Sequence, residues 1–145
     1  MSRPEPLKLA DFRYVTDITT RWMDNDVYGH INNVTYYSFF DTVVANFLIE
    51  SGVLDIATSP VVGLVVDTQC SYFASIAYPD KVRAGLRVAH VGTSSVRYEI
   101  GIFRNYDKTA AAQGHFVHVY VNRATNKPVP LSDKHKTALE GLKHS

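Results

Sequence analysis

Asn33-Val34-Thr35-Tyr36-Tyr37-Ser38-Phe39-Phe40-Asp41-Thr42-Val43-Val44-Ala45-Asn46-Phe47-Leu48-Ile49-Glu50-Ser51 carries its large apolar residues at spacings of three and four. Tyr36, Phe40, Val43, Val44, Phe47 and Leu48 then share one broad stripe, widened by Phe39 and Ile49, so residues 33–51 are predicted to form a mostly buried helix. Asn32 or Asn33 supplies a capping side chain at its start, and Ser51-Gly52 supplies the residue type that tolerates a left-handed stop.

Outward from this helix the period changes. Upstream, Tyr14, Thr16, Ile18, Thr20 and Trp22 share one face of an extended chain, which predicts a strand over residues 12–22. Downstream, residues 61–75, 81–91, 95–106 and 110–122 read as strands. Tyr78-Pro79-Asp80, Gly92-Thr93-Ser94 and Asn105-Tyr106-Asp107-Lys108 are turn chemistry between them, short enough for antiparallel neighbours. One strand, one buried helix and a four-strand meander imply an α+β fold, an antiparallel sheet of about five strands curled around one long central helix. Residues 1–145 are expected to be a single domain, with 1–11 as a flexible tail interrupted by Pro4 and Pro6 and a C-terminal helix within 132–145.

The charge balance, 15 Lys and Arg against 14 acids, argues against a general phosphate-backbone binder, so nucleic acid is not an expected partner. No apolar run approaches the ~18 residues of a membrane span. Arg3, Glu5 and Lys8 occupy the place where a signal peptide would have its apolar stretch, and Cys70 has no second cysteine to pair with, so a cytoplasmic location is expected.

Ahead of the helix runs Arg21-Trp22-Met23-Asp24-Asn25-Asp26-Val27-Tyr28-Gly29-His30-Ile31-Asn32-Asn33-Val34. It sets a carboxylate, Asp26, beside a helix N-terminus, whose unpaired N–H groups and partial positive charge can polarise a docked carbonyl oxygen. That pairing suits acyl transfer.

The segment Asp26-Val27-Tyr28-Gly29-His30-Ile31-Asn32-Asn33, continued by Tyr36 and Asp41, resembles the signature of the 4-hydroxybenzoyl-CoA thioesterase-like branch of the hot-dog superfamily. The Arg21-Trp22 approach, the Tyr78-Pro79-Asp80 and Gly92-Thr93-Ser94-Ser95 turns and the Thr125-Asn126-Lys127-Pro128-Val129-Pro130 tail follow in that family's order, over residues 12–131. The run His30 to Tyr36 is also similar to plant acyl-carrier-protein thioesterases, although those carry Asn where this chain has Tyr28. The resemblance implies a hot-dog fold and an acyl-CoA thioester hydrolase in which Asp26, rather than Asp24, is the catalytic carboxylate and the backbone N–H of Asn33 is the oxyanion donor. It further implies that Tyr28, Gly29, Tyr36, Thr93, Ser94 and Ser95 bind substrate and that a homodimer or homotetramer places the active site between subunits. No cofactor is implied, coenzyme A being part of the substrate.

A thioester is a favourable substrate for a single carboxylate, since its thiol leaves readily without acid help. Whether Asp26 attacks the carbonyl or activates water stays open at this level, because both routes use the same group. His30 admits three readings: it orients Asp26 or substrate, it is a structural loop residue, or it is a general base. Asn32 and Asn33 side chains read as helix caps. Asp41 and Asp67 read either as structural hydrogen-bonding groups or as further polar groups of a pocket or interface. His90, His115 and His118 lack a Cys or carboxylate at metal-ligand spacing, so no metal site is expected, and Cys70 reads as a structural thiol. The competing expectations are an acyl-carrier-protein thioesterase, which would dock an acidic partner, and a non-catalytic acyl-CoA binding protein.

Overall fold

The computed structural model describes residues 4–143. Its elements are β1 Tyr14–Thr19, α1 Thr35–Glu50, β2 Val61–Tyr72, β3 Lys81–Val91, β4 Ser95–Arg104, β5 Ala112–Asn122 and α2 Asp133–Glu140, with 3₁₀ turns at Leu9–Asp11 and Trp22–Asp24. The five strands form one sheet in the order β1-β3-β4-β5-β2, every neighbouring pair antiparallel. A bulge interrupts β2 between Val65 and Asp67, and β2 is an outer strand with one side unpaired.

Helix α1 buries Tyr36, Phe39, Phe40, Val43, Val44, Phe47 and Leu48. They meet Val82, Ala84 and Leu86 of β3, Val96, Ile100 and Ile102 of β4 and Phe116 of β5 in one core cluster. Each such side chain contributes roughly 1.5–3 kcal/mol of burial. The helix stops because Gly52 adopts φ +75°, which lets its N–H reach the Ile49 carbonyl and the Val53 N–H reach Leu48, while the Ser51 hydroxyl donates to the Phe47 carbonyl. At the start, neither asparagine is the cap: Val34 takes that place with no side-chain cap bond, and the Asn32 carboxamide oxygen accepts from the Val34 N–H at 3.0 Å in a turn just ahead of it.

Several boundaries differ from the periodicity, among them β4, which stops at Arg104 rather than residue 106, β5, which starts at Ala112 rather than residue 110, and α1, which spans Thr35–Glu50 rather than residues 33–51. The first strand ends at Thr19 rather than residue 22, because Asp24 accepts from the Arg21 N–H and draws residues 22–24 into a 3₁₀ turn. The second strand ends at Tyr72, not residue 75. The segment expected to be loose through residue 11 is pinned from Leu7 onward, while residues 1–3 lie outside the described residues. The Leu7 N–H donates to the Gln113 side chain, the Ala110 N–H donates to the Leu7 carbonyl, and Phe12 packs edge-on against Phe103 on the sheet face away from α1. Gly85 and Gly101 make room for the Phe12 ring, since a β-carbon at either would lie 2.6 to 2.8 Å from it.

A polar group is buried near α2. Tyr98 and Tyr120 hydroxyls are 2.7 Å apart, His118 Nδ1 is 3.2 Å from the Tyr120 hydroxyl, and the Tyr120 ring stands edge-on to His135. Burial pushes the pKa of both histidines down to about 4, helped at His118 by its neighbour His135.

Two measurements follow from this packing. Phe12→Ala should lower unfolding stability in urea by about 3 kcal/mol, the usual cost of emptying an aromatic site, and a loss under about 1 kcal/mol would show that the N-terminal segment is not structural. Because the unfolded histidines bind protons from near 6.5 while the folded ones wait until about 4, stability should fall as pH drops through that window and level off below it. The urea midpoint of His118→Phe should decline less steeply from pH 6.5 to 4.5 than that of the wild type.

Candidate active site

The loop between β1 and α1 is clamped at its base and open at its tip. Asp24 is 3% exposed; its carboxylate holds the Arg21 guanidinium at 2.9 Å and the Arg21 N–H at 2.8 Å, and its carbonyl accepts from Asn32 N–H. Asn25 accepts the Tyr78 N–H, and Ile31 donates to the Ile76 carbonyl, which ties the loop to the turn before β3. Between these anchors the chain reverses over Asp26-Val27-Tyr28-Gly29. The Asp26 N–H donates to the His30 carbonyl, the Gly29 N–H donates to the Asp26 carbonyl, and Gly29 sits at φ +79° in open space, so conformation alone demands glycine there. One Asp26 carboxylate oxygen accepts the Tyr28 N–H at 2.9 Å; the other has no partner among the described residues.

At the helix start a cleft of about 260 Å³ is lined by His30, Ile31, Asn33, Tyr36, Tyr72, Phe73, Ala74 and Ser75. The Asn33 carbonyl accepts from the Tyr72 hydroxyl at 2.8 Å and from Tyr36 N–H, which holds the opening turn against β2. The Asn33 N–H has no acceptor among the described residues. Val34 already has helical torsions, φ −67° and ψ −30°, so that free N–H belongs to the positive end of α1. Desolvation, and then the neighbouring Cys70, push the Tyr36 phenol up to about 12, so it stays a neutral hydroxyl at physiological pH.

His30, Asn33 and Tyr36 therefore come together. Asp26 is half-buried and lies one backbone pairing step from His30, but does not itself line the cleft. Tyr28 and Gly29 form the exposed tip, Tyr28 being 83% exposed, alongside the exposed apolar residues Trp22, Met23, Val27 and Val34. Thr93, Ser94 and Ser95 are not brought to the cleft within one chain. Ser95 pairs with Val119 on β5, whereas Tyr72 at the cleft pairs with Ala112, so the β3–β4 turn occupies the opposite end of the sheet. There Thr93 and Ser94 carbonyls accept from Leu131 and Tyr120.

The remaining polar candidates resolve individually. Asp67 pairs with His115 of the same chain at 2.8 Å. Asp41, expected among apolar neighbours, is exposed on α1 at the rim of a second and larger cavity. Burial raises the Cys70 thiol to about 11, which leaves little thiolate at neutral pH and removes it as a nucleophile. Among the described residues no group of three His, Cys, Asp or Glu side chains is placed to hold a metal ion. Nor is any helix among them long and apolar enough to cross a membrane. The buried pair His118 and His135 had one sequence signal, the alternation of Phe116, His118 and Tyr120 on a strand face turned toward the helix.

A family model of the thioesterase-like superfamily matches residues 20–139, so the chain belongs to that superfamily. Its fold is the hot-dog fold. The chain is 48% identical to the crystal structure of the PA5185 protein from Pseudomonas aeruginosa, with a TM-score of 0.93 and coverage of 98% of this chain and 99% of that one. It is 23% identical to a DHNA-CoA thioesterase from Staphylococcus aureus, with a TM-score of 0.75 and coverage of 88% and 86%, a likeness of fold. A Bacillus subtilis relative, YsmA, is 23% identical over 130 residues, 90% of this chain and 87% of that protein. Hydrolysis of thioesters is the reaction class this membership supports.

The two neighbouring aspartates should separate in the laboratory. Asp24→Ala should lower urea stability by about 1–3 kcal/mol, because it strips buried hydrogen bonds from the loop base, whereas Asp26→Ala should stay within about 1 kcal/mol of wild type. The reverse order would overturn the division into anchor and free carboxylate.

Proposed function

We propose that the protein hydrolyses an acyl-CoA thioester to the free acid and coenzyme A, with Asp26 as the reacting carboxylate and the Asn33 N–H as oxyanion donor. The observation that carries this reading is the unpaired Asn33 N–H at the start of α1, on a residue that lines a cleft whose His30 is backbone-paired to Asp26, a half-buried carboxylate with one oxygen unpartnered among the described residues. A thioester carbonyl oxygen seated on that N–H gains stabilisation as it becomes an oxyanion, typically worth roughly 3–4 kcal/mol per preorganised donor. Asp26 then either attacks the carbonyl carbon, expelling the thiolate to leave an anhydride that water cleaves, or takes a proton from water as that water attacks. In both routes the thiolate leaves with the C–S bonding pair and is protonated by solvent. No cofactor beyond the CoA moiety enters.

The site is completed, in this reading, by a second copy of the chain. Strand β2 has an unpaired edge with Leu64, Val65 and Val66 exposed, and such an edge invites pairing. Antiparallel pairing of two copies about the bulge carries the Thr93-Ser94-Ser95 end of one chain toward the helix start of the other. The hydroxyls there would then meet the pantetheine amides, and Tyr28, Gly29 and Tyr36 would flank the acyl group. A homodimer is thus the minimum assembly, and the apolar loop tip around Trp22 and Tyr28 offers a surface for a homotetramer.

A hydrolysis screen over acyl-CoA chain lengths and aryl-CoA esters, run beside three variants, tests this. Asp26→Asn should lose at least about 100-fold in kcat. Asn33→Pro removes the N–H together with the carboxamide and should lose about 100-fold or more, whereas Asn33→Ala, which removes the carboxamide alone, should keep most of the activity. Turnover that survives both Asp26→Asn and Asn33→Pro would end the proposal. Single turnover in heavy-oxygen water then separates the routes: label confined to the product acid rules out attack by Asp26.

A further inference from the structure

Residues 32–34, which lead into α1 and include the unpaired Asn33 N–H, are exposed, while Ile31 and Tyr36 on either side of the turn are buried. Burial thus holds what flanks this turn, and hydrogen bonds hold the turn itself. Some of these bonds stay within the loop: Asn32 N–H donates to the Asp24 carbonyl at 2.9 Å, Thr35 N–H to the Asn32 carbonyl at 2.9 Å, and Val34 N–H to the Asn32 carboxamide at 3.0 Å. One comes from the sheet, where the Tyr72 hydroxyl donates to the Asn33 carbonyl at 2.8 Å. The same carbonyl lies 3.4 Å from the Tyr36 nitrogen, longer than the usual amide bond, so the contact with Tyr72 is the closer of the two.

Tyr72 is built to be a fixed point. It is the last residue of β2 and pairs with Ala112 of β5, so its backbone belongs to the sheet. Its ring meets the buried Tyr36 ring edge-on, with centroids 5.0 Å apart and planes at 89°, which limits the swing of the hydroxyl. Burial, and then the neighbouring Cys70, raise the pKa of the phenol, so it keeps its proton at neutral pH. The carbonyl that this hydroxyl holds and the N–H left unpaired belong to the same residue, and only two soft torsions separate their peptide planes. Asn32 is bonded at its N–H, its carbonyl and its side chain within the loop, and Tyr72 ties the next plane to the sheet. Together they fix the direction in which the Asn33 N–H points.

We propose that Tyr72 is a positioning residue for thioester hydrolysis: its hydroxyl, by holding the Asn33 carbonyl, keeps the Asn33 N–H aimed at the thioester oxygen as that oxygen becomes an oxyanion. The role rests on the hydrolase reading above. The hydroxyl touches no reacting atom, and no bond is made or broken at it. Without it the turn would present the N–H over a spread of directions, and a donor that must be oriented during the reaction stabilises the oxyanion less than one already in place. The neutral carbonyl of the bound substrate draws far less on that donor, so the loss falls on kcat rather than on KM.

The test is a double-mutant cycle on the full chain. Tyr72→Phe keeps the ring against Tyr36 and removes only the hydroxyl; it should lower kcat about tenfold on the best acyl-CoA of the screen, with KM within about twofold of wild type. In the Asn33→Pro background, where no N–H is left to aim, the same change should cost less than about twofold. Nitrogen relaxation gives a readout that does not depend on turnover: the Asn33 amide order parameter should be near ~0.85 in wild type and fall toward ~0.6 in Tyr72→Phe, while those of Phe40 and Val43 hold. A wild-type kcat in Tyr72→Phe, a full loss that persists in Asn33→Pro, or an unchanged Asn33 order parameter overturns the positioning role and leaves the hydrolase reading standing. A wild type that cleaves no thioester removes that reading and this role together, and an order parameter that still falls then shows that the reaction, not the anchor, was wrongly assigned.

Discussion

The packing of one face of α1 against the sheet governs both ends of the molecule. Phe40, Val43 and Val44 have no solvent exposure, and each is held by side chains of strands far away in sequence. The helix cannot rotate or slide without opening this contact, and close-packed interiors tolerate little of either. Its first turn is consequently fixed where the Tyr72 hydroxyl holds the Asn33 carbonyl, and the unpaired Asn33 N–H is aimed by burial that occurs two turns further on. The Gly52 stop fixes the other end, where the chain turns back to form a wall of the larger cavity.

Much of this was legible as pattern. The three-four spacing from Tyr36 to Leu48 identifies the helix because a buried stripe must recur at the helical period, and the turn residues after it delimit the meander. Where periodicity misleads, a particular side chain intervenes. Trp22 continues the alternation of β1 in sequence, yet Asp24 competes for the Arg21 N–H and coils the chain, a local bond that no alternation of apolar residues encodes. The docking of Leu7 to Phe12 was invisible for a different reason. It depends on the absence of side chains at Gly85 and Gly101, more than seventy residues away, and on Gln113 beyond them.

The site divides in the same way. Asp24 and Asp26 are equally conspicuous in the chain, and only the resemblance ranked them; in the fold Asp24 has both oxygens bonded to Arg21 at the loop base, while Asp26 keeps one without a partner among the described residues. His30, Asn33 and Tyr36 are near neighbours in sequence and remain so in space. The turn at Thr93 cannot be placed from sequence at all, because its separation from the helix start is a matter of strand register, Val119 against Ala112 on β5.

That register carries a consequence for how one chain divides its chemistry. The Asp26 carboxylate sits in a loop that retains contact with water, paired through its backbone to His30 ahead of the helix start. At the far end of the sheet His118 and His135 are enclosed, and their burial selects the neutral form. Seven residues of β5 separate the registers of the two ends, Val119 against Ala112, roughly 23 Å of strand, so within one chain the two environments share no wall.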